Sequence, residues 1–168
     1  KEYAVSIYSY FLSECELERP HIEAEKVAFD SMATVFLNAY QLGEMPDIVG
    51  VPSFFTSSVN IRVWEAALQS GGVDVLDFEA IRKIDQYENA KLGMLKLLEK
   101  GDIYSRELLL PNMERSKSEY YNLWTKKLRP KYQWYIRFIR SIQNQYKEMM
   151  DANIELTDYL GKKVPGSD

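Results

Sequence analysis

The strongest hydrophobic pattern in this chain is a seven-residue repeat near its N-terminal end. The spacing predicts a helix-packing seam on one helix that runs from about residue 3 to residue 42. Pro20 removes a backbone donor, yet the repeat keeps its phase on both sides of it. We therefore expect one helix kinked at Pro20 rather than two helices. The repeat comprises Tyr8, Cys15, Ile22, Phe29 and Phe36, with Phe11, Leu12, Met32, Ala33, Ala39 and Tyr40 at the intermediate positions.

The C-terminal part carries a second and more regular seam, which predicts a helix over residues 131–160, ended by Gly161 and followed by a frayed tail, 161–168. Two such seams favour antiparallel pairing of the first and last helices. They also allow self-association of two chains, and a seam asparagine, which in coiled coils can set partner number, keeps that alternative open. The first heptad position holds Tyr135, Ile142, Met149 and Leu156, and the second holds Ile139, Tyr146, Asn153 and Leu160.

Between the seams, local helix signals are densest from Thr56 to Lys100. Ser57 or Ser58 is expected to cap a helix over residues 58–70, whose apolar stripe includes Trp64. One of two consecutive glycines is expected to end this helix in the left-handed conformation. An aspartate then caps a helix over residues 77–100, or onward to 110. The predicted structural corner consists of Trp64, Gly71, Gly72 and Asp77.

Two further segments complete the predicted architecture. Residues 44–56 are expected to form an ordered connector, with Phe54 and Phe55 in the core. Pro111 and Asn112 predict another helix over residues 113–128, with Tyr120, Leu123, Trp124 and Leu128 facing inward. The chain is therefore expected to be all-α: a single domain, 1–168, folded as an elongated antiparallel bundle of about four to five helices with a kinked long first helix.

A helix with a central Trp-Glu-Ala, a Ser-Gly-Gly stop, an acidic cap and a second helix with a tyrosine occupy the central stretch, at positions Trp64, Glu65, Ala66, Ser70, Gly71, Gly72, Leu76, Asp77, Ile81, Ile84 and Tyr87. This arrangement resembles a pattern found in uncharacterised bacterial membrane-anchored proteins. In those proteins one N-terminal transmembrane helix is followed by an extracytoplasmic all-helical domain. The resemblance covers about a quarter of the chain, and it implies a periplasmic domain tethered by a membrane segment upstream of Lys1, with no catalytic residues to carry over.

Composition narrows the class of protein without naming an activity. Hydrophobic residues make up 46% of the chain and charged residues 27%, which is typical of a folded globular domain and not of a disordered one. Cys15 is the only cysteine, so an intramolecular disulfide is excluded. The sequence contains no apolar run of about 18 residues that would span a bilayer.

Residues with catalytic potential are few, and no metal or cofactor is predicted. His21 is the only histidine, and beside Pro20 it is expected to be solvated or to cap a helix. His21 and Glu25 have i, i+4 spacing, but the paired Glu-x-x-His motifs of a di-metal bundle are absent from the sequence. Glu14, Glu16 and Glu18 are expected to form a solvated face. An enzyme using Asp, Glu, Tyr or Lys chemistry stays open as the third hypothesis.

Charge is distributed very unevenly. Residues 115–147 hold nine basic residues and one acidic residue, a local charge of +8, whereas residues 1–114 carry −9. The basic residues either pair with the acidic helices or meet an anionic partner. Lipid headgroups are the first candidate partner, and single-stranded nucleic acid, stacking on Trp124, Trp134, Tyr132 and Tyr135, is disfavoured by the pI near 5.2. The candidate anionic-partner surface is Lys126, Lys127, Arg129, Lys131, Arg137 and Arg140.

Together with the location that the resemblance implies, these patterns predict a non-enzymatic extracytoplasmic interaction or sensory domain of a membrane-anchored bacterial protein. Its partner is an unknown protein, a second copy through the seams, or anionic lipid. The alternative is a cytosolic scaffold or nucleic-acid-binding helical protein that uses the basic segment, residues 115–147.

Overall fold

The computed structural model describes residues 2–48 and 62–164. The described residues form five α-helices, a two-stranded hairpin and short 3₁₀ and π turns, so the chain is all-α with a long first helix. The helices are α1 (Glu2–Gln41), α2 (Arg62–Gln69), α3 (Phe78–Tyr104), α4 (Lys117–Tyr120) and α5 (Trp134–Gly161), and the strands are β1 (Tyr121–Asn122) and β2 (Lys127–Leu128).

The last helix, α5, lies between the two other long helices and is antiparallel to both. At one end of the bundle, the rings of Phe36 and Tyr135 meet edge to face with their centroids 5.0 Å apart. Toward the other end, Nδ2 of Asn153 donates to the carbonyl oxygen of Cys15 at 3.0 Å. Because α1 and α3 both run against α5, they point in the same direction. At 40 residues, α1 is about 60 Å long, which makes the bundle elongated.

Both predicted seams are confirmed as the core of this bundle. The five residues of the N-terminal repeat and all eight of the C-terminal seam are buried. Asn153 is fully buried, and besides its bond to Cys15 its Oδ1 accepts from Nε of Arg19 at 2.8 Å. The two seams therefore close against each other within one chain, and the buried asparagine has partners that fix the register of α1 against α5.

Gly101 does not end the third helix. The helical conformation continues beyond residue 100, in agreement with the prediction that extends it to residue 110. Helix α3 continues through Tyr104 into a π turn (Ser105–Leu109) and a 3₁₀ turn (Leu110–Asn112). Gly101 is buried, and a Cβ built on it would lie 2.3 Å from Cζ of Phe138. A glycine is needed here because α3 and α5 approach closely where the Phe138 ring lies across the backbone.

The prediction of a helix over residues 113–128 is wrong. Only Lys117–Tyr120 is helical, and the chain then forms an antiparallel hairpin in which Tyr121 pairs with Leu128 and Asn122 with Lys127. Leu128 is buried as predicted, but Leu123 and Trp124 point outward. The side chain of Asn122 holds the chain in a turn by accepting from two backbone amides ahead of it, which competes with helix formation.

Helix α1 runs without a break through Pro20. Several other predictions lie outside the described residues: the cap at Ser57 or Ser58, the start of the helix expected from residue 58, the packing of Phe54 and Phe55, and the last four residues of the tail.

Candidate interaction surface

The hairpin is anchored to the bundle through its first and last residues. Tyr121 is 1% exposed, and its hydroxyl donates to the carbonyl oxygen of Pro46 at 2.6 Å. Across the hairpin, the amide of buried Leu128 donates to the Tyr40 hydroxyl at 3.3 Å. The strands are only two residues long, so it is these contacts with the end of α1 and the following segment that hold the hairpin in place.

The hairpin loop is ordered by its own hydrogen bonds. Oδ1 of Asn122 accepts from the amides of Trp124 at 3.0 Å and Thr125 at 3.1 Å. The amide of Lys126 donates to the Asn122 carbonyl at 2.7 Å, and that of Lys127 to Oγ1 of Thr125 at 3.4 Å. Lys126 adopts a left-handed conformation with φ of 53°. Each backbone amide from Trp124 to Lys127 thus has an acceptor within the hairpin.

This ordered loop displays apolar side chains to solvent. Trp124 is 96% exposed and Leu123 is 55% exposed. Lys126 and Lys127, which follow after Thr125, are also exposed, and Nζ of Lys127 lies 4.9 Å from the centroid of the Tyr40 ring. Trp124 and the adjacent Leu123 expose apolar side chains next to each other, and contiguous apolar patches are typical of interaction sites.

The structure brings four of the six predicted basic residues together around the hairpin. Arg129 donates from Nε to the Ser118 carbonyl at 2.8 Å, and Lys131 pairs with Glu119. The hydrogen bond from Lys131 holds the pKa of Glu119 below its ordinary value. We define the hairpin face as Leu123, Trp124, Lys126, Lys127 and Arg129.

Arg137 and Arg140 lie apart from the hairpin, on the exposed side of α5. Arg137 lines a groove of about 280 Å³ between α3 and α5, together with Lys100 and the stacked rings of Tyr104 and Trp134, whose centroids are 4.5 Å apart. The structure therefore divides the predicted anionic-partner surface into a hairpin group and a helix α5 group.

The basic segment is largely unpaired with the acidic part of the chain. Within the described residues, Lys117 alone among residues 115–147 forms an ion pair with the region before it, at 3.4 Å from Asp47. No described carboxylate pairs with Lys126, Lys127, Arg129, Arg137 or Arg140. Among the described residues, ion pairing within the fold therefore accounts for four of the nine cations, Arg115, Lys117, Lys131 and Lys147, and leaves the other five without a carboxylate partner.

The predicted corner forms at the opposite end of the bundle. Gly71 is left-handed, with φ of 71°, and Gly72 is buried, where an added Cβ would lie 3.3 Å from Cδ1 of Ile7. Asp77 caps α3 by accepting from the Ala80 amide at 2.8 Å. The rings of Trp64 and Phe11 pack edge to face, with their centroids 6.0 Å apart. These four residues pack one end of the bundle, and their roles are structural.

Sequence reasoning missed a buried charge cluster formed by Glu18, Tyr87, Glu88 and Lys91. Nζ of Lys91 lies 2.7 Å from Glu88 and 3.4 Å from Glu18, and the Tyr87 hydroxyl donates to Glu18 at 2.6 Å. The prediction that Glu18 is solvated is wrong, because its side chain is only 13% exposed. Glu18 is one helical turn beyond the seam residue Cys15, and that proximity to the seam was the available signal.

The cluster has the residue types of acid–base chemistry but little space for a substrate. Burial raises the pKa of Glu88 above its ordinary value, although Lys91 opposes the shift, and burial raises the pKa of the neighbouring Cys15 thiol to about 12. The cavity that the cluster lines measures about 10 Å³, roughly the volume that admits one water molecule. The arrangement suits a structural ion pair between α1 and α3.

Metal ligation finds no support in the described part of the chain. His21 is exposed, and Glu25 interacts with the Tyr146 hydroxyl at 3.3 Å. No group of three or more His, Cys, Asp or Glu side chains among the described residues is placed to hold an ion.

Comparison of the chain with protein-family models, curated proteins and solved structures finds no match. Among residues 2–48 and 62–164, no helix combines the length and the apolar composition needed to cross a bilayer.

Proposed function

We propose that this chain is a non-enzymatic interaction domain that binds an anionic surface through the hairpin face. As the resemblance implies, the domain is extracytoplasmic and tethered, so that the anionic surface within its reach is that of a membrane. The observation that carries the proposal is Trp124, 96% exposed on an ordered loop and followed by two lysines that no described carboxylate neutralises.

The charge distribution supports an anionic partner that contacts only one part of the protein. The chain as a whole carries −4, while residues 115–147 carry +8. The cations of the hairpin face are thus concentrated at one end of an otherwise acidic molecule. Each basic residue near an acidic leaflet contributes about 1 kcal/mol, so even three of them give a useful affinity when the protein is already held near the membrane.

Single-stranded nucleic acid fits this surface less well than lipid headgroups. Binding by stacking needs several exposed aromatic rings along a basic track. Of the four aromatic residues that interleave with the basic segment, Tyr132 and Tyr135 are buried and Trp134 is half-buried, stacked on Tyr104. Trp124 alone of these four is displayed, which favours contact with a surface at one point.

The proposal is tested by sedimentation of the protein with large vesicles of phosphatidylcholine, with or without about 30% phosphatidylglycerol. We expect binding to the anionic vesicles, weakening with salt. Lys126→Glu/Lys127→Glu should weaken binding by about 25-fold or more, since each lysine contributes about fivefold. The control variant Lys96→Glu/Lys162→Glu changes two exposed lysines elsewhere on the bundle. It makes the same change in net charge and should weaken binding much less.

Equal losses in the two double variants would contradict a defined face, because they would show that net charge alone decides binding. Absence of binding to anionic vesicles at low salt would overturn the proposal. Tighter binding to a labelled single-stranded oligonucleotide than to the vesicles would instead favour the cytosolic nucleic-acid-binding alternative.

A further inference from the structure

We infer that Leu123 and Trp124 insert into the interfacial layer of an anionic bilayer, and that the lysines after them remain at the level of the headgroups. This inference rests on the proposed function and specifies its partner as a lipid bilayer. Here the tip of the hairpin penetrates the bilayer, whereas the proposed function requires only attraction between the basic residues and an anionic surface.

The first support is the hydrogen bonding of the loop. Apolar surroundings penalise any backbone amide that lacks an acceptor. In this hairpin the amides of Trp124, Thr125, Lys126 and Lys127 all donate within the hairpin, two of them to Oδ1 of Asn122. These four amides therefore keep their acceptors when the tip leaves water, which lowers the cost of insertion.

The second support is the order of side chains along the tip. Exposed Leu123 and Trp124 lie in the loop of residues 123–126, Lys126 closes that loop, and Lys127 begins the returning strand. Tryptophan is enriched at membrane interfaces because its ring is apolar and its indole N–H stays hydrogen-bonded. Lysine stems can lie along apolar surface while their ammonium groups reach the phosphates. The two pairs of side chains thus match the two layers of an anionic leaflet.

The third support is that the tip is ordered by its own contacts and those of its base. Tyr121 and Leu128 are buried and hydrogen-bonded to the Pro46 carbonyl and the Tyr40 hydroxyl. Insertion of a loop that is already ordered costs little conformational entropy. Because the strands have only two residues each, we expect shallow insertion, within the interfacial layer of about 5–10 Å.

The test follows the fluorescence of Trp124, taken as the difference between the native protein and Trp124→Phe, because Trp64 and Trp134 also emit. With phosphatidylglycerol-containing vesicles we expect a blue shift of the Trp124 emission and quenching by lipids brominated near the headgroup end of the acyl chain. Trp124→Ser should weaken vesicle binding by about tenfold or more, given the apolar area of the ring.

Phe78→Ser is the matched control, since Phe78 is 79% exposed at the N-terminal end of α3 and should not affect binding. Vesicle binding that survives Trp124→Ser with an unshifted emission would overturn insertion, while leaving charge-based binding intact. A loss of vesicle binding in Phe78→Ser equal to that in Trp124→Ser would also overturn it. Absence of vesicle binding by the native protein would overturn the proposed function itself.

Discussion

The hydroxyl of Tyr159, near the end of α5, donates to Oδ1 of Asp77 at 2.6 Å. The same carboxylate caps α3 and accepts from the Tyr8 hydroxyl at 3.0 Å, and Nζ of Lys163 lies 2.9 Å from it. One side chain therefore joins α1, the start of α3 and the end of α5. This contact network closes the end of the bundle opposite the hairpin.

Asp77→Ala should lower the free energy of unfolding by about 1–2 kcal/mol, the range for losing a helix N-cap. The loss stays near that of the cap alone because 38% of the Asp77 side chain is exposed and solvent screens its other partners. Asp85→Ala, a change at an exposed site within α3, should cost less. Urea denaturation at neutral pH measures both, and equal losses would show that the Asp77 carboxylate contributes no more to stability than an exposed one.

The contribution of Asp77 should also depend on pH. Burial alone would raise the pKa of Asp77, but hydrogen bonds from Tyr159, Lys163, the Ala80 amide and Tyr8 hold it well below its ordinary value. A depressed folded-state pKa gives stability that is present above the unfolded pKa of about 4 and is lost as the pH falls toward the folded value. The stability difference between the native protein and Asp77→Ala should therefore shrink below about pH 4.

Gly101→Ala should destabilise the bundle although alanine favours helices. The new Cβ would lie 2.3 Å from the ring of Phe138, so the ring or the helix must move. Overpacking costs about 1–3 kcal/mol, against a gain in helix propensity of about 1 kcal/mol. Gly161→Ala is the control, because a Cβ there meets nothing within 4 Å. Thermal melts should show a lower midpoint for Gly101→Ala only, and equal midpoints would contradict the close approach.

Lys91→Met should be among the most destabilising single changes in the chain. It leaves the buried carboxylates of Glu18 and Glu88 without their cation, and breaking a buried ion pair costs about 3–5 kcal/mol. Lys96→Met, on the exposed side of the same helix, should change the free energy of unfolding by no more than about 0.5 kcal/mol. Chemical denaturation of both variants measures the difference.

Acidification should partly rescue Lys91→Met. Burial already raises the pKa of Glu88, and Glu18 and Glu65 raise it further, so removing Lys91, which lowers it, should raise this pKa more. A raised folded-state pKa means that stability is greatest below the unfolded pKa of about 4.3 and falls as the pH rises. The deficit of Lys91→Met should therefore be smaller at about pH 5 than at neutral pH. A deficit independent of pH would show that the charges of the cluster do not govern stability.

The parts of the fold that were predictable are those that depend on a long repeated pattern. Heptad spacing identified both seams because each seam packs along almost its whole length against a matching surface. The Asp77 cap and the left-handed Gly71 were predictable because each depends on backbone requirements within a few residues.

The parts that were not predictable depend on single local or distant contacts. The helix expected over residues 113–128 fails because Asn122 forms a turn and Tyr121 reaches Pro46, 75 residues away in sequence. Sequence reasoning predicts a solvated Glu18 because the cation that pairs with it, Lys91, is 73 residues along the chain. The basic residues of the candidate surface were found from charge alone, but the exposure of Trp124 follows from the hairpin and was beyond sequence reasoning.

The most direct test of the hairpin face is amine-specific labelling of the native protein, read out lysine by lysine by mass spectrometry, with and without phosphatidylglycerol vesicles. We predict that Lys126 and Lys127 become protected several-fold, as expected for amines held at headgroup phosphates, while Lys96 and Lys162 keep their reactivity. Uniform protection of all four lysines, or protection of Lys96 and Lys162 with Lys126 and Lys127 unchanged, would contradict the account.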